Sequence, residues 1–215
     1  MIVTIDGPAG AGKSSVSRRL AEALGFHFLD TGAMYRCVTL ACLDRSVHIL
    51  NSEHVTAIAE RIEIAWDGER VLLDGIDVTD RIRESCVNQS IKAIADNANV
   101  RSALVQLQRR WCLGRDAVTE GRDQGTVAFP EASCKIFLTA SSQERARRRW
   151  QQLREQGLEA DYDAILLQQN QRDEDDMTRK SGGLKAAADA ITVQTDGMSE
   201  ADVLNRLLEI VRSRM

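Results

Sequence analysis

Gly7-Pro8-Ala9-Gly10-Ala11-Gly12-Lys13-Ser14 fits the pattern G-x-x-x-x-G-K-[ST] at every position. The pattern has physical content. Small residues let the backbone curl around an anion, its N–H groups then point inward, and the start of a following helix adds partial positive charge. Lys13 can reach the β- and γ-phosphates of a nucleoside triphosphate, and the Ser14 hydroxyl can ligate Mg²⁺. The context agrees. Ile2-Val3-Thr4-Ile5 is a short β-rich run that ends at Asp6-Gly7, and Val16, Leu20 and Leu24 recur at four-residue steps until Gly25, as on one face of a helix. A chance glycine turn at a strand–helix junction is the bland alternative. The loop points to a nucleoside triphosphate and leaves the acceptor open.

Outward from the loop, Phe28-Leu29 reads as a second strand and Ala33 to about Leu43 as a helix. Strand, glycine loop, helix, strand, helix is the order of a parallel α/β sheet. The middle departs from it. Ile62-Glu63-Ile64-Ala65-Trp66 and Val71-Leu72-Leu73 flank Asp67-Gly68-Glu69-Arg70, which predicts a hairpin. Gly75-Ile76-Asp77-Val78 adds a third short strand, and helices follow over 82–95 and 97–112. The α/β order resumes with strands at Ala117-Val118-Thr119, Lys135-Ile136-Phe137-Leu138 and Ile191-Thr192-Val193. From Ser199 onward, Val203, Leu207, Ile210 and Val211 fall on one helical face, and Ser199 with Asp202 makes a loose capping box. There is no internal repeat, no low-complexity tract, and the two prolines mark no linker.

Composition narrows the function classes. The 215 residues are 43% hydrophobic and 28% charged, ordinary for a globular protein and enough for a core without staples. Aromatics number nine (Phe 4, Trp 3, Tyr 2) and the net charge is −4, which argues against a nucleic-acid coat or a base-stacking platform. No 18-residue apolar run offers a membrane span. Met1-Ile2-Val3-Thr4-Ile5-Asp6 lacks the basic start and apolar stretch of a signal peptide, so a cytoplasmic protein is expected. Cys37, Cys42, Cys86, Cys112 and Cys134 form an odd set without a Cys-x-x-Cys pair, and His27, His48 and His54 do not cluster with them. Buried thiols are expected, and no zinc site.

Three charged segments could complete a site. Asp30-Thr31-Gly32-Ala33-Met34-Tyr35-Arg36 follows the second strand, and ligands of open α/β sheets bind beyond the carboxyl ends of strands. Thr31 and Arg36 straddle a helix start and suit a phosphate monoester; helix capping by Thr31 with a solvated Arg36 is the alternative. Glu120-Gly121-Arg122-Asp123-Gln124-Gly125-Thr126 reads as the loop after the third strand. Glu120 lies where an acid can hold the waters of Mg²⁺, and a turn with a surface Arg122–Asp123 ion pair is the alternative. In Arg172-Asp173-Glu174-Asp175-Asp176-Met177-Thr178-Arg179, the residues Arg172, Asp176 and Arg179 share one helical face at steps of four and three. Either that face enters a cleft or it is a solvated helix end. Gly182-Gly183 would hinge the segment, and a mobile arginine-bearing lid suits phosphoryl transfer because it excludes water. The basic helix carrying Arg145, Arg147, Arg148, Arg149 and Arg154 has only Trp150 as an interleaved aromatic. An RNA strip is therefore disfavoured; some of these arginines flank the nucleotide and the rest are solvated.

Together these motifs resemble the bacterial-type cytidylate kinases of the nucleoside monophosphate kinase superfamily, over essentially all 215 residues. Beyond the phosphate loop, the likeness is carried by Leu29 to Arg36, Gly75 to Arg83, Val100 to Leu104, Glu120 to Pro130 and the Arg172-Asp173-x-x-Asp176-x-x-Arg179 pattern. The resemblance implies a parallel sheet flanked by helices, with 1–35 and 113–215 as a core, 36–112 as a β-containing insert for the nucleoside monophosphate, and a helical lid around 157–185. It implies that Gly7 to Ser15 (Gly7, Pro8, Ala9, Gly10, Ala11, Gly12, Lys13, Ser14, Ser15) cradles ATP with Mg²⁺. Thr31, Arg36 and Arg122 would bind the acceptor phosphate, Arg101 and Asp123 the cytosine, and Arg172 and Asp176 the sugar, with Arg172 and Arg179 closing on the phosphates. A carboxylate beside a guanidinium complements the amino donor and ring acceptors of cytosine, whereas the 4-carbonyl of uracil would face Asp123 and be repelled. The implied activity is ATP:CMP phosphotransfer, with dCMP as a second substrate, by a monomer without nucleic-acid or membrane partners. Departures from the family pattern are Lys92 where a serine usually meets the base, with Ser90 nearby, Gly183-Leu184 in place of Pro-Leu, and Ser14, which some members replace by glycine. A kinase of another small acceptor such as shikimate or gluconate keeps the same loop. A nucleotide-switched binding protein would need a guanine motif that is absent from the sequence.

Overall fold

The computed structural model describes residues 1–179 and 181–215. The chain forms two compact units, one from Met1–Leu29 with Cys112–Met215 and the other from Asp30–Trp111.

The first unit is built on a five-stranded sheet. Strands β1 (Ile2–Asp6), β2 (His27–Asp30), β6 (Ala117–Gly121), β7 (Cys134–Thr139) and β8 (Ile191–Gln194) take the order β2-β6-β1-β7-β8. The β1–β6, β1–β7 and β7–β8 pairs are parallel. Side chains alternate across the sheet. Val3, Ile5, Val118, Ile136 and Leu138 bury against Val16, Leu20 and Ala21 of α1 (Lys13–Leu24) and Val203, Leu207, Ile210 and Val211 of α8 (Glu200–Arg212). The core is almost wholly aliphatic, as the scarcity of aromatics requires. Gly25, with φ 70°, ends α1: its N–H reaches the Glu22 carbonyl, and that of Phe26 reaches Ala21. These paired bonds satisfy carbonyls that the helix end would otherwise orphan. Ser199 and Asp202 form the expected capping box, each side chain accepting the other's backbone N–H. Helices α6 (Ser142–Glu155) and α7 (Tyr162–Thr178) pack against each other.

The second unit holds α2 (Thr31–Asp44), α3 (Ser52–Arg61), α4 (Ser85–Asp96) and most of α5 (Ala98–Cys112) with an antiparallel sheet of β3 (Ile64–Asp67), β4 (Arg70–Leu73) and β5 (Ile76–Asp77). The predicted hairpin is there, with Asp67 opposite Arg70. Asp74 and Gly75, both at positive φ (50° and 80°), turn the chain from β4 into β5, a two-residue turn that Asp-Gly favours. Helix α2 packs on α3, α4 and the short helical turn Arg81–Arg83.

Several details correct the sequence reading. Helix α2 starts at Thr31 rather than Ala33, and its cap is Asp30, whose Oδ1 accepts the Ala33 N–H at 2.9 Å; Thr31 itself lies inside the helix. Helix α3 was not foreseen, although Asn51 caps it through the His54 N–H. Strand β6 runs on through Glu120 and Gly121, and Gln124–Ala128 coils into a wide helical turn, so little of that segment is open loop. Cys86 is exposed, whereas the other four thiols are buried. No helix among the described residues is long and apolar enough to cross a membrane.

Candidate active site

The phosphate loop grows out of β1. Gly7 has φ 152°, and a Cβ there would stand 1.9 Å from the Leu138 carbonyl oxygen; the loop presses against β7 too closely for any side chain. Gly12 is constrained differently. It precedes α1 in the left-handed region, at φ 85°, with open space around it and no side chain capping the helix. The first amides of α1 therefore lack a side-chain acceptor, which suits an anion. Ser15 turns its hydroxyl back to the Gly12 carbonyl at 3.1 Å.

Lys13 is 5% exposed and its Nζ donates to the Pro8 carbonyl at 2.8 Å. Burial, then the nearby Arg122 and Arg172 cations, press its pKa down to about 7 against the opposing pull of Glu120 and Asp6. Ser14 donates from Oγ to Glu120 Oε1 at 2.5 Å. Glu120 stands opposite Ile5 in the β1–β6 register, and Gly121 opposite Asp6, so parallel pairing brings the ends of both strands to the same edge.

Asp6 ties that edge together. Its two carboxylate oxygens accept the N–H groups of Gln124 and Gly125 at 2.8 and 2.7 Å. Burial lifts its pKa to about 6, although both N–H bonds and Lys13 favour the charged form. Gly125 lies flat on the sheet, since a Cβ there would come 3.0 Å from Thr4 Oγ1. The backbone that carries Arg122 and the buried Asp123 is thus fixed to β1.

Asp176 organises the arginines. Its Oδ2 accepts from Arg122 Nε at 2.8 Å and its Oδ1 from Arg179 Nη2 at 3.0 Å. Burial raises its pKa, but Arg122, Arg179 and Arg172 outweigh burial and leave it below the usual value. Arg122 Nε thus pairs across 54 residues of sequence rather than within a surface turn. The single helical face expected for Arg172, Asp176 and Arg179 holds for the first two. Arg179 lies just past the end of α7, at its cap, and bonds back to Asp176 from there.

In the second unit, Thr31 is buried at the start of α2. Arg36 is held by the Ile82 carbonyl at 3.0 Å and Asn88 Oδ1 at 2.6 Å; burial, aided by Arg83 and opposed by Asp30, lowers its pKa. Arg101 is buried on α5, donates to the Ala95 carbonyl at 3.1 Å and lies 5.6 Å from the centroid of the Tyr35 ring. Lys92 pairs with Asp96 on the exposed side of α4.

Two features escaped the sequence reading. One is Asp6, hidden because nothing local says where its carboxylate points. The other is Arg145, one of five arginines in a basic run. It is 3% exposed and bonds the Ala9 carbonyl at 2.9 Å and Asp173. By contrast Arg147 bonds Glu144 and Arg149 bonds Gln152 at the surface. Arg148 reaches the Thr195 carbonyl, and Arg154 stacks over Trp150. An acceptor within four residues was the legible signal for Arg147 and Arg149; Arg145's partner Asp173 is 28 residues away.

Comparison with known proteins agrees with this architecture. The sequence profile of the family described as cytidylate kinase matches residues 3–213. The cytidylate kinase of Rhodopirellula baltica is 51% identical over 212 residues, covering 99% of this chain and 93% of that protein. The cytidylate kinase of Caldanaerobacter subterraneus is 42% identical over 210 residues, covering 98% and 94%. Among solved structures, a gluconokinase from Sinorhizobium meliloti aligns with a TM-score of 0.51 at 16% identity, over 99% of this chain and 92% of that one. Shikimate kinase from Bacteroides thetaiotaomicron aligns with a TM-score of 0.51 at 11% identity, over 99% and 98%. At such identities these structures speak to the fold alone.

Proposed function

The chain belongs to the cytidylate kinase family, and from that premise we propose that it transfers the γ-phosphoryl group of ATP to CMP, giving CDP and ADP. The match to the family over residues 3–213 carries the choice of CMP as acceptor, and the enclosed Lys13 at the phosphate loop, near Arg122, Arg172, Glu120 and Asp6, supports ATP as donor. An oxygen of the CMP phosphate attacks the γ-phosphorus in line, the new O–P bond forms, and the bond to the β-phosphate oxygen breaks. The attacking oxygen is already anionic, so no general base is required, and catalysis is positioning plus charge stabilisation. Lys13, Arg122, Arg172 and Arg179 follow the charge as it moves.

The remaining roles carry over from the family resemblance. Gly7 to Ser15 wraps the ATP phosphates. Thr31, Arg36 and Arg122 take the phosphate of CMP, Arg101 and Asp123 the cytosine edge, and Arg172 and Asp176 the sugar. In that division 1–35 and 113–215 act as the core, 36–112 as the acceptor-binding insert and about 157–185 as the lid. Asp176 bonds Arg122 and Arg179, so sugar binding would redistribute an existing pair of ion pairs rather than recruit an idle carboxylate.

Magnesium fits the donor set. The Ser14 hydroxyl and a Glu120 carboxylate oxygen are neighbours, both hard oxygen donors. No group of three or more His, Cys, Asp or Glu side chains that could hold a metal occurs among the described residues. Mg²⁺ is commonly bound by one or two protein oxygens together with substrate phosphates and waters. Ser14 directly, and Glu120 through water, would hold the ion, which supplies charge neutralisation on the phosphate oxygens. We place the enzyme in the cytoplasm as a monomer of pyrimidine nucleotide metabolism, with dCMP as a second substrate. Coupled ADP release measured across CMP, dCMP, UMP, AMP and shikimate tests the reading. CMP and dCMP should turn over fastest, UMP about tenfold to a hundredfold less efficiently, as expected for one unpaired buried group. Faster turnover of shikimate or AMP would overturn it.

A further inference from the structure

We propose that Arg145 is a positioning residue that clamps α7 to the phosphate loop and so sets where the arginine-bearing end of that helix stands during phosphoryl transfer. Its guanidinium touches three parts of the first unit at once. Nε donates to the Ala140 carbonyl at 3.0 Å, at the junction of β7 and α6. Nη1 donates to the carbonyl of Ala9, inside the phosphate loop, at 2.9 Å. On α7, Nη1 and Nη2 form a two-pronged pair with Asp173, and Nη1 also meets Gln169 Oε1 at 3.1 Å.

Nη1 faces three acceptors with two N–H groups, so Ala9, Gln169 and Asp173 Oδ1 share them; the planar fork still reaches all three parts of the unit, which a lysine ammonium on a point charge cannot. The side chain is almost fully enclosed, so its charge is matched by Asp173 and by oriented carbonyls rather than by water. The same contact zone is tight at the loop: a Cβ on Gly10 would stand 2.8 Å from Gln169 Nε2 and 3.4 Å from the Arg145 Cβ. Helix α7 therefore rests on the phosphate loop through Gln169 and, by way of Arg145, through Asp173, one turn before Asp176, which bonds Arg122 and Arg179. Arg172 is the immediate neighbour of the clamped Asp173. Any displacement of α7 at this point moves Arg172 and Asp176 with it. Arg145 is not itself aimed at a phosphate, because its N–H groups are directed at these protein acceptors.

The inference rests on the reading that Arg172 and Arg179 act on the transferring phosphoryl group, so two separate readouts are needed. R145K and D173N are to be compared with the unmodified enzyme by peptide hydrogen exchange over 162–178 and by kcat and KM for ATP and CMP. We expect exchange in α7 to accelerate at least about tenfold in both variants, since a clamp bond is lost. We also expect kcat to fall about 10²-fold, the scale of a misplacement near 1 Å, with KM for CMP changing less than about threefold. Unchanged exchange in α7 in both variants would overturn the clamp. Faster exchange with unchanged kcat would leave the contact but refute its role in positioning, whereas near-normal kcat of Arg179→Ala would instead refute the catalytic reading on which it rests. If R145K does not fold, D173N alone decides, because it keeps one acceptor oxygen and nearly the same shape.

Discussion

Raising the pH through neutrality should weaken capture of ATP well before it slows turnover of ATP already bound. The cause is Lys13, whose enclosure and proximity to Arg122 and Arg172 bring its pKa to about 7 in the free protein. Above that value the charged fraction falls about tenfold per pH unit, equivalent to about 1.4 kcal/mol of lost interaction for each unit. The profile of kcat/KM for ATP reports the free enzyme. It should therefore descend with a slope near −1, to roughly a tenth of its plateau at pH 8 and roughly a hundredth at pH 9. Bound triphosphate reverses the balance. One negative charge about 4 Å from the ammonium, at an effective dielectric near 20, stabilises it by about 4 kcal/mol, or about three pK units. The lysine in the complex then keeps its charge well above neutrality, so kcat at saturating ATP and CMP should stay level to about pH 9. Initial rates of ADP release at constant ionic strength over about pH 6 to 9.5 provide both profiles. Calorimetry in two buffers of different ionisation enthalpy should also record close to one proton taken up per ATP bound at about pH 8. A level kcat/KM from pH 7 to 9 would refute the reasoning, and so would kcat and kcat/KM declining together from pH 7. The acid side has its own marker, because Asp6 gains a proton as pH falls through about 6 and then accepts less well from the Gln124 and Gly125 N–H groups.

Other consequences can be checked directly. Gly7→Ala should prevent normal folding or cost more than about 3 kcal/mol in denaturant melts, since its methyl meets the Leu138 backbone at 1.9 Å. Gly12→Ala, with open space but φ 85°, should cost only about 1–2 kcal/mol of left-handed strain; equal losses would show that the two glycines are not constrained as described. Arg179→Ala should lower kcat at least about 10²-fold, the lower range of a transition-state arginine, and near-normal turnover would remove Arg179 from the reaction. Chelation of Mg²⁺ should abolish turnover yet leave the melting temperature of the nucleotide-free protein unmoved. A melting shift there would reveal a metal site made by the protein alone.

Short-range chemistry made much of this protein legible in its sequence. The glycine spacing and Lys13-Ser14 mark the phosphate loop because its geometry is enforced by adjacent residues. The apolar steps Val16, Leu20 and Leu24, the Asp67–Arg70 hairpin and the Ser199–Asp202 box are likewise local, and each element is present at or near its expected bounds. Helix α3 was missed because Val55, Ile58 and Ala59, its buried residues, make a short stripe in a polar segment. What tertiary structure alone decided is the pairing of charges far apart in the chain. Five arginines between 145 and 154 look alike as letters, yet one is buried on Ala9 and Asp173 while others bond at the surface. Asp6 could have faced water, but parallel pairing of β1 with β6 places it under the amides of Gln124 and Gly125. Local propensity fixes which way a backbone runs; the partner of a buried charge depends on which distant strands and helices exclude water around it.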